Sequence, residues 1–461
     1  MSKKLMNPSM SKGNHDSSWK SLKKNAVMCS LLLWSFTLPV KAETSTHSLT
    51  FTQALQKVQQ YQTGQDAWQT QEQISAANIK QSKLWKNPEL SIQQSGFDSK
   101  NERELSVGLS QPLDIFGERK ANQRLAHLSK NQLDLKQKIY QAQLQLAVKY
   151  LWSQLAISEL ENNVVREQLK VSEANLNAVN KRYQAGSVAQ VQVDRARLSH
   201  AENARLAHQA DLKVQIAKQQ LSNLWGDSDK GISTGLSASA LWPTATNQQV
   251  QAYLAENLVE KSRQLQVLEA QAKVDQLQIQ SKPLPTVNVG MNQIKSPQTQ
   301  TDNQIVVGVS VPLNIFNRQK YSIEIVKAKE NLLNKQQIFY ARQNALQIGT
   351  LLTELQGLEA QFKKVEQVQL PLASQVQSKT LLGFNAGKFE VTDVQQATLQ
   401  LQEVRLRKVQ LLREAWQLAI EAESLSLGIE PSQVIAKDAI AQINQNLWQD
   451  IQALPVVGGE N

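Results

Sequence analysis

From Gly117 to Tyr183 the chain runs 67 residues with neither proline nor glycine between those ends. At 1.5 Å per residue, a helix of that length is about 100 Å long. Few globular folds can use such a rod. Composition agrees: aromatics are only 5% of the 461 residues, and the chain is rich in Gln, Ala, Leu and Lys, a profile of long helices. Leu144, Val148, Leu151 and Leu155 step by four, three and four. Leu351, Leu355, Leu358, Phe362 and Val365 do the same farther on. This heptad seam suits helices packed nearly parallel, although an amphipathic helix in any bundle also shows it.

Beyond the rod, the chain repeats itself. "SQPLDIFGERK" (110–120) returns as "SVPLNIFNRQK" (310–320). "RYQAGSVAQV" (182–191) is matched by "GFNAGKFEVT" (383–392), where an aromatic, a polar residue and Ala-Gly recur. Glycine tolerates the left-handed backbone that closes a helix, so both sites are expected to be helix–turn–helix tips. The helices after them are expected at about 188–225 and 389–427, and two others at 50–86 and 247–282.

Between the helices the period changes to two. Leu105, Val107 and Leu109 alternate with Ser106, Gly108 and Ser110. Val287, Val289 and Met291 alternate with Asn288, Gly290 and Asn292, and Ile305, Val307, Val309 and Val311 share one face. These are strands with one apolar and one wet or small face. They form two hairpins, with strands at about 89–97 and 104–111, then 286–294 and 304–311. Pro112 and Pro312 end the ladders, because proline cannot donate to them. With Phe116, Gly117 and Phe316 they mark two corners where strand becomes helix. Four amphipathic strands leave open edges. A membrane barrel must close and needs at least about eight strands. The corners therefore imply an oligomer.

Residues 1–42 are expected to be a cleaved signal peptide: Lys20, Lys23 and Lys24, an apolar stretch at 26–40, then Val40–Ala42. Cys29, the sole cysteine, would leave with it. So would seven Lys and one acid, which lowers the net charge from +10 to +4 and removes the case for a nucleic-acid partner. Domains are expected at 43–245 (first repeat, tip at 183–187), 246–430 (second repeat, tip at 384–388) and 431–461 (an equatorial segment or tail). Mean hydropathy is −0.41, and the mature chain has no apolar run long enough for a membrane helix. His47, His127, His200 and His208 form no ligand pair, and no phosphate-cradling loop appears. No enzyme, cofactor or metal site is expected.

"QPLDIFGERKANQRLA" (111–126), "YQAG" (183–186) and "FNAGKFEVTDVQQA" (384–397), set in a duplicated helix–hairpin–helix unit, resemble the TolC-like outer-membrane efflux proteins. The resemblance covers essentially the whole mature chain, and "PLDIFGERKA" is most similar to the branch serving cobalt–zinc–cadmium type exporters. It implies a mainly α fold with a small β part. A homotrimer would build a twelve-stranded barrel in outer-membrane lipid over an α-helical periplasmic tunnel. Its partners would be a periplasmic adaptor and an inner-membrane pump of the RND type. Alternatives are a like channel for organic drugs or type I protein secretion, or a soluble periplasmic coiled-coil scaffold.

The resemblance also implies site residues. Ala185, Gly186, Ala386 and Gly387 would dock the adaptor. Where some members gate with Asp, Tyr and Arg, this chain has Gln192, Phe384 and Phe389. A more apolar gate is expected, supplemented by Arg182, Tyr183, Asp194 and Asp393.

Overall fold

The computed structural model describes residues 47–62, 65–97, 102–226, 232–236, 241–296, 300–436 and 438–452. The expected signal peptide with Cys29, much of both hairpin loops and the last nine residues lie outside the described residues.

In chain order the elements are β1 (His47–Ser48), α1 (Phe51–Gln62), α2 (Gln65–Ser82), β2 (Glu89–Ser95), β3 (Arg103–Pro112), α3 (Glu118–Gln184) and α4 (Gln190–Ser222). Then follow β4 (Ile232–Ser233), α5 (Thr246–Glu256), α6 (Leu258–Gln280), β5 (Thr286–Lys295) and β6 (Asp302–Ser310). The chain continues with α7 (Lys320–Lys364), α8 (Leu370–Asn385), α9 (Val391–Leu427) and α10 (Ala439–Gln452). The fold is mainly helical with a small sheet. No described helix is long and apolar enough to cross a membrane.

The rod α3 is one uninterrupted helix of 67 residues and packs against α2, α4, α6 and α9. Its seam residues Leu144, Val148, Leu151 and Leu155 are buried. They anchor a core midway along the rod, to which Trp225, Ile232, Leu241, Trp416, Ile420 and Ile443 contribute. Two indoles tie connecting segments to it: Trp152 Nε1 donates to the Leu49 carbonyl (3.0 Å) and Trp416 Nε1 to that of Leu241 (2.7 Å). Beside them Glu423, almost wholly buried, receives the Lys149 ammonium at 2.6 Å. Burial still pushes the Glu423 carboxyl up, and the lysine only partly opposes it.

Two expected helices are each divided. The span 50–86 is divided into α1 and α2, and 247–282 into α5 and α6. At the second break Asn257 is left-handed (φ 35°), and its side-chain carbonyl accepts the Glu260 amide at 3.2 Å, capping α6. Between α7 and α8 the helix that carries Leu351–Val365 takes a π-helical turn, Val365–Gln369, two residues before Pro371. Proline lacks an amide and crowds the carbonyl four residues back, and a π turn absorbs the mismatch without ending the helix.

Candidate functional site

Strand order is β2-β3-β5-β6, all antiparallel. Register puts Ile92, Val107, Met291 and Ile305 in one row, and Leu90, Leu109, Val289 and Val307 in the next. All lie on one face and all are exposed, Ile305 by 81%. The other face carries Ser91, Gln93, Ser106, Ser110, Asn288 and Asn292 between the facing glycines Gly108 and Gly290. A Cβ at Gly290 would come within 2.8 Å of the Val107 carbonyl, so glycine lets these strands pair closely. Charge is segregated too. Glu89, Glu104 and Asp302 stand on the wet face; Arg103 and Lys295 face each other on the apolar side. Glu104 accepts from Asn292 Nδ2 at 2.9 Å. A sheet that exposes its apolar face suits lipid on that side and water on the other.

The two corners share a backbone turn, in which the amides of Ile115 and Ile315 donate to the carbonyls of Leu113 and Leu313. They then diverge. Asp114 accepts the Glu118 and Arg119 amides (2.7 and 3.1 Å) and, with Gly117 left-handed at φ 80°, starts α3 at once. Asn314 instead donates to the Ser281 carbonyl, and α7 begins only after Gln319 takes the left-handed position (φ 55°). Pro112 is the last paired residue of β3, whereas Pro312 lies beyond the end of β6. Phe116 carries the Lys282 ammonium 5.1 Å over its ring, while Phe316 is fully exposed.

At the opposite end α3 turns into α4 and α8 into α9. Gly186 (φ 71°) and Gly387 (φ 73°) are left-handed. Ser187 and Lys388 return their amides to the Arg182 and Gly383 carbonyls (2.9 and 2.8 Å), closing both helices alike. A Cβ on either glycine would meet nothing within 4 Å. Glycine is needed there for backbone conformation, and the space beside it is open. Ala185 and Ala386 sit beside the glycines as helix caps, exposed.

Of the expected gate residues, the fold joins two across the repeats. The Arg182 guanidinium lies 3.6 Å over the Phe384 ring and donates to the Phe384 carbonyl. Phe384 is only 2% exposed, packed with Val179, Val193, Val391 and Val394 inside one chain. Phe389 lies over Gly383, where a Cβ would meet its ring at 2.2 Å. Asp393 accepts the Glu390 amide (2.9 Å) in a capping box for α9. Asp194 accepts from Gln190 (3.2 Å) and lies 3.8 Å from Arg197. Tyr183 is exposed, and the Gln192 Oε1 is buried without a hydrogen-bond partner. The sequence reading missed the capping role of Glu390, although its spacing to Asp393 was there to be read. Among the described residues no group of three or more His, Cys, Asp or Glu could hold a metal ion.

A long helical bundle ending in two glycine-closed tips, joined to a small sheet with its apolar face outward, is the architecture of a TolC-like channel subunit. Comparison with known proteins agrees. Residues 65–227 match the sequence profile of the outer membrane efflux protein family. The cobalt-zinc-cadmium resistance protein CzcC of Cupriavidus metallidurans is 24% identical over 345 residues, 74% of this chain and 81% of that protein. Among solved structures, VceC of Vibrio cholerae superposes with a TM-score of 0.62 at 16% identity, covering 82% of this chain and 96% of VceC. CusC does so with a TM-score of 0.62 at 14% identity, covering 85% and 97%. Profile, relative and solved structures agree on a likeness to the TolC-like outer membrane efflux proteins, the profile over residues 65–227. The proteins it resembles are outer-membrane channels rather than enzymes, and the likeness points to that membrane.

Proposed function

We propose that three copies pool their strands into a closed twelve-stranded barrel and conduct divalent heavy-metal cations, such as cobalt, zinc and cadmium, out of the periplasm. A periplasmic adaptor would dock at the tips around Ala185, Gly186, Ala386 and Gly387, and an inner-membrane pump of the RND type would supply the energy. Arg182, Tyr183, Gln192, Asp194, Phe384, Phe389 and Asp393 would form or brace the gate. The two repeats, 43–245 and 246–430, would be equivalent staves of the tunnel, with 431–461 at its equator.

The observation that carries the cation reading is the wet face of the sheet. Across four strands it bears Glu89, Glu104 and Asp302 and no Lys or Arg. Three copies would line the lumen with nine carboxylates, a field that concentrates cations and excludes anions. Likeness to CzcC supports the same cargo. The channel would conduct metal without coordinating it, and choice would fall to the pump.

Reversal potentials across planar bilayers under a salt gradient test this. The trimer should favour cations, and Glu104→Gln should reduce the preference. Anion selectivity would refute the reading, as would a deletion strain that loses dye resistance and keeps resistance to cobalt, zinc and cadmium.

A further inference from the structure

The end of the sheet where strands become helices carries a charge that the bundle does not balance. Hydrogen bonds bring its pieces to one level: Leu113 donates to the Pro285 carbonyl, Gln111 to that of Lys86, and Asn314 to that of Ser281. Residues 83–89, 111–120, 281–286 and 311–321 hold seven Lys and Arg against three Asp and Glu. Two of those acids are engaged, Asp114 by helix amides and Glu118 by Lys86 at 3.1 Å. Elsewhere on the helices many cations meet carboxylates, as Arg166 meets Asp211 and Lys213 meets Glu161. Here they meet aromatic rings instead. Arg119 lies 4.2 Å over Trp85, Lys282 5.1 Å over Phe116, and Lys320 5.9 Å over Tyr321. Among the described residues, no protein oxygen accepts a hydrogen bond from these three side-chain cations. Around them Leu84, Leu313, Ile315 and Phe316 are exposed, and a cleft opens between Trp85, Arg119 and Leu284.

Exposed aliphatic and aromatic side chains at the end of a membrane strand sit at headgroup depth. Cations at that depth attract anionic lipid. A ring beneath each cation orients it and leaves its N–H groups unspent, ready for phosphate oxygens. We propose that the strand-to-helix corners are a docking surface for anionic phospholipid headgroups of the periplasmic leaflet. Arg119, Lys282 and Lys320 would hold the phosphates, and the exposed aliphatics would seat among the acyl chains. This rests on the sheet being the membrane-spanning part of the channel.

The test reconstitutes the purified trimer in nanodiscs of equal phosphatidylglycerol and phosphatidylcholine and counts the lipids retained by native mass spectrometry. Wild type should retain an excess of phosphatidylglycerol. The triple variant Arg119→Gln, Lys282→Gln, Lys320→Gln should lose about ten-fold or more in that preference. Should the variant fail to assemble, salt titration of wild type decides: the excess must fall as sodium chloride rises. A trimer that inserts yet retains both lipids equally, or whose excess ignores both the variant and salt, overturns this inference alone. A chain that never inserts overturns the channel reading, and this inference with it.

Discussion

Replacing Phe384 with alanine tests the proposed gate at the tips. The ring is 2% exposed and fills the small core of Val179, Val193, Ala196, Val391 and Val394 that ties the first tip to the second. Truncating a buried phenylalanine costs about 3–5 kcal/mol. The Arg182 guanidinium would lose the ring beneath it, about 0.5–1 kcal/mol more at a partly exposed site. Its bond to the residue 384 carbonyl is to backbone and survives the change. At about 1.4 kcal/mol per factor of ten, these costs together, about 3.5–6 kcal/mol, should make opening of the tip about 300 to 20,000 times more favourable. Hydrogen exchange reads this directly. Amides near 179–187 and 384–388 should exchange faster by that factor, while those at 146–157, in the mid-rod core, should not change. On the proposed reading, in which Phe384 braces the gate from within, conductance in planar bilayers should rise in parallel. If tip exchange accelerates while conductance stays at the wild-type level, the tip core does not govern the gate. If neither changes, the packing argument itself fails.

Gly387→Trp should preserve the trimer at a modest cost for the left-handed backbone, about 1–2 kcal/mol, because nothing of its own chain lies within 4 Å of the new Cβ. It should nonetheless abolish metal resistance by filling the space an adaptor hairpin needs, and full resistance would refute docking there. Gly290→Val should stop β3 and β5 pairing, since its Cβ would lie 2.8 Å from a backbone carbonyl. Heat-modifiable trimers should vanish on gels. Glu423, with its carboxyl pushed up by burial, contributes stability that is present below the unfolded value near 4.5 and lost as pH rises through the folded one. Glu423→Gln should therefore gain on wild type in thermal melts as pH rises from acid to neutral. A gap that is constant or narrows would show that the Lys149 pair outweighs desolvation.

What the sequence disclosed was whatever the backbone alone decides. A 67-residue absence of proline and glycine leaves a helix little reason to end, and α3 does not end. Strict alternation at Leu105, Val107 and Leu109 puts those side chains on one face whatever they meet. Features decided by partners stayed hidden. Asn257 breaks a helix through an ordinary residue in a left-handed state, and no change of period announces it. Phe384 and Arg182 are 202 positions apart, and periodicity cannot say which two helices meet. Matching letters also concealed different work: Asp114 caps a helix by accepting amides, whereas Asn314 donates to a carbonyl of another segment.

That divergence bears on why the chain doubles its phrase. Two identical halves could close on each other, leaving a self-sufficient unit. These halves do not. The first rod is buried along much of its length, while α7 leaves Ile325, Leu332, Ile338, Phe339 and Leu346 exposed. The sheet likewise ends in β2 and β6, each with an unpaired edge. Exposed apolar rows and open edges both invite a further partner, and they occur in the same subunit, one on the bundle and one on the sheet. In the proposed trimer both demands would be met at once: β6 of one copy would pair with β2 of the next while its α7 is covered below. The likeness of the halves would let them alternate around one ring in that trimer. Divergence would keep one half from satisfying the other, so that the proposed ring would close only between chains.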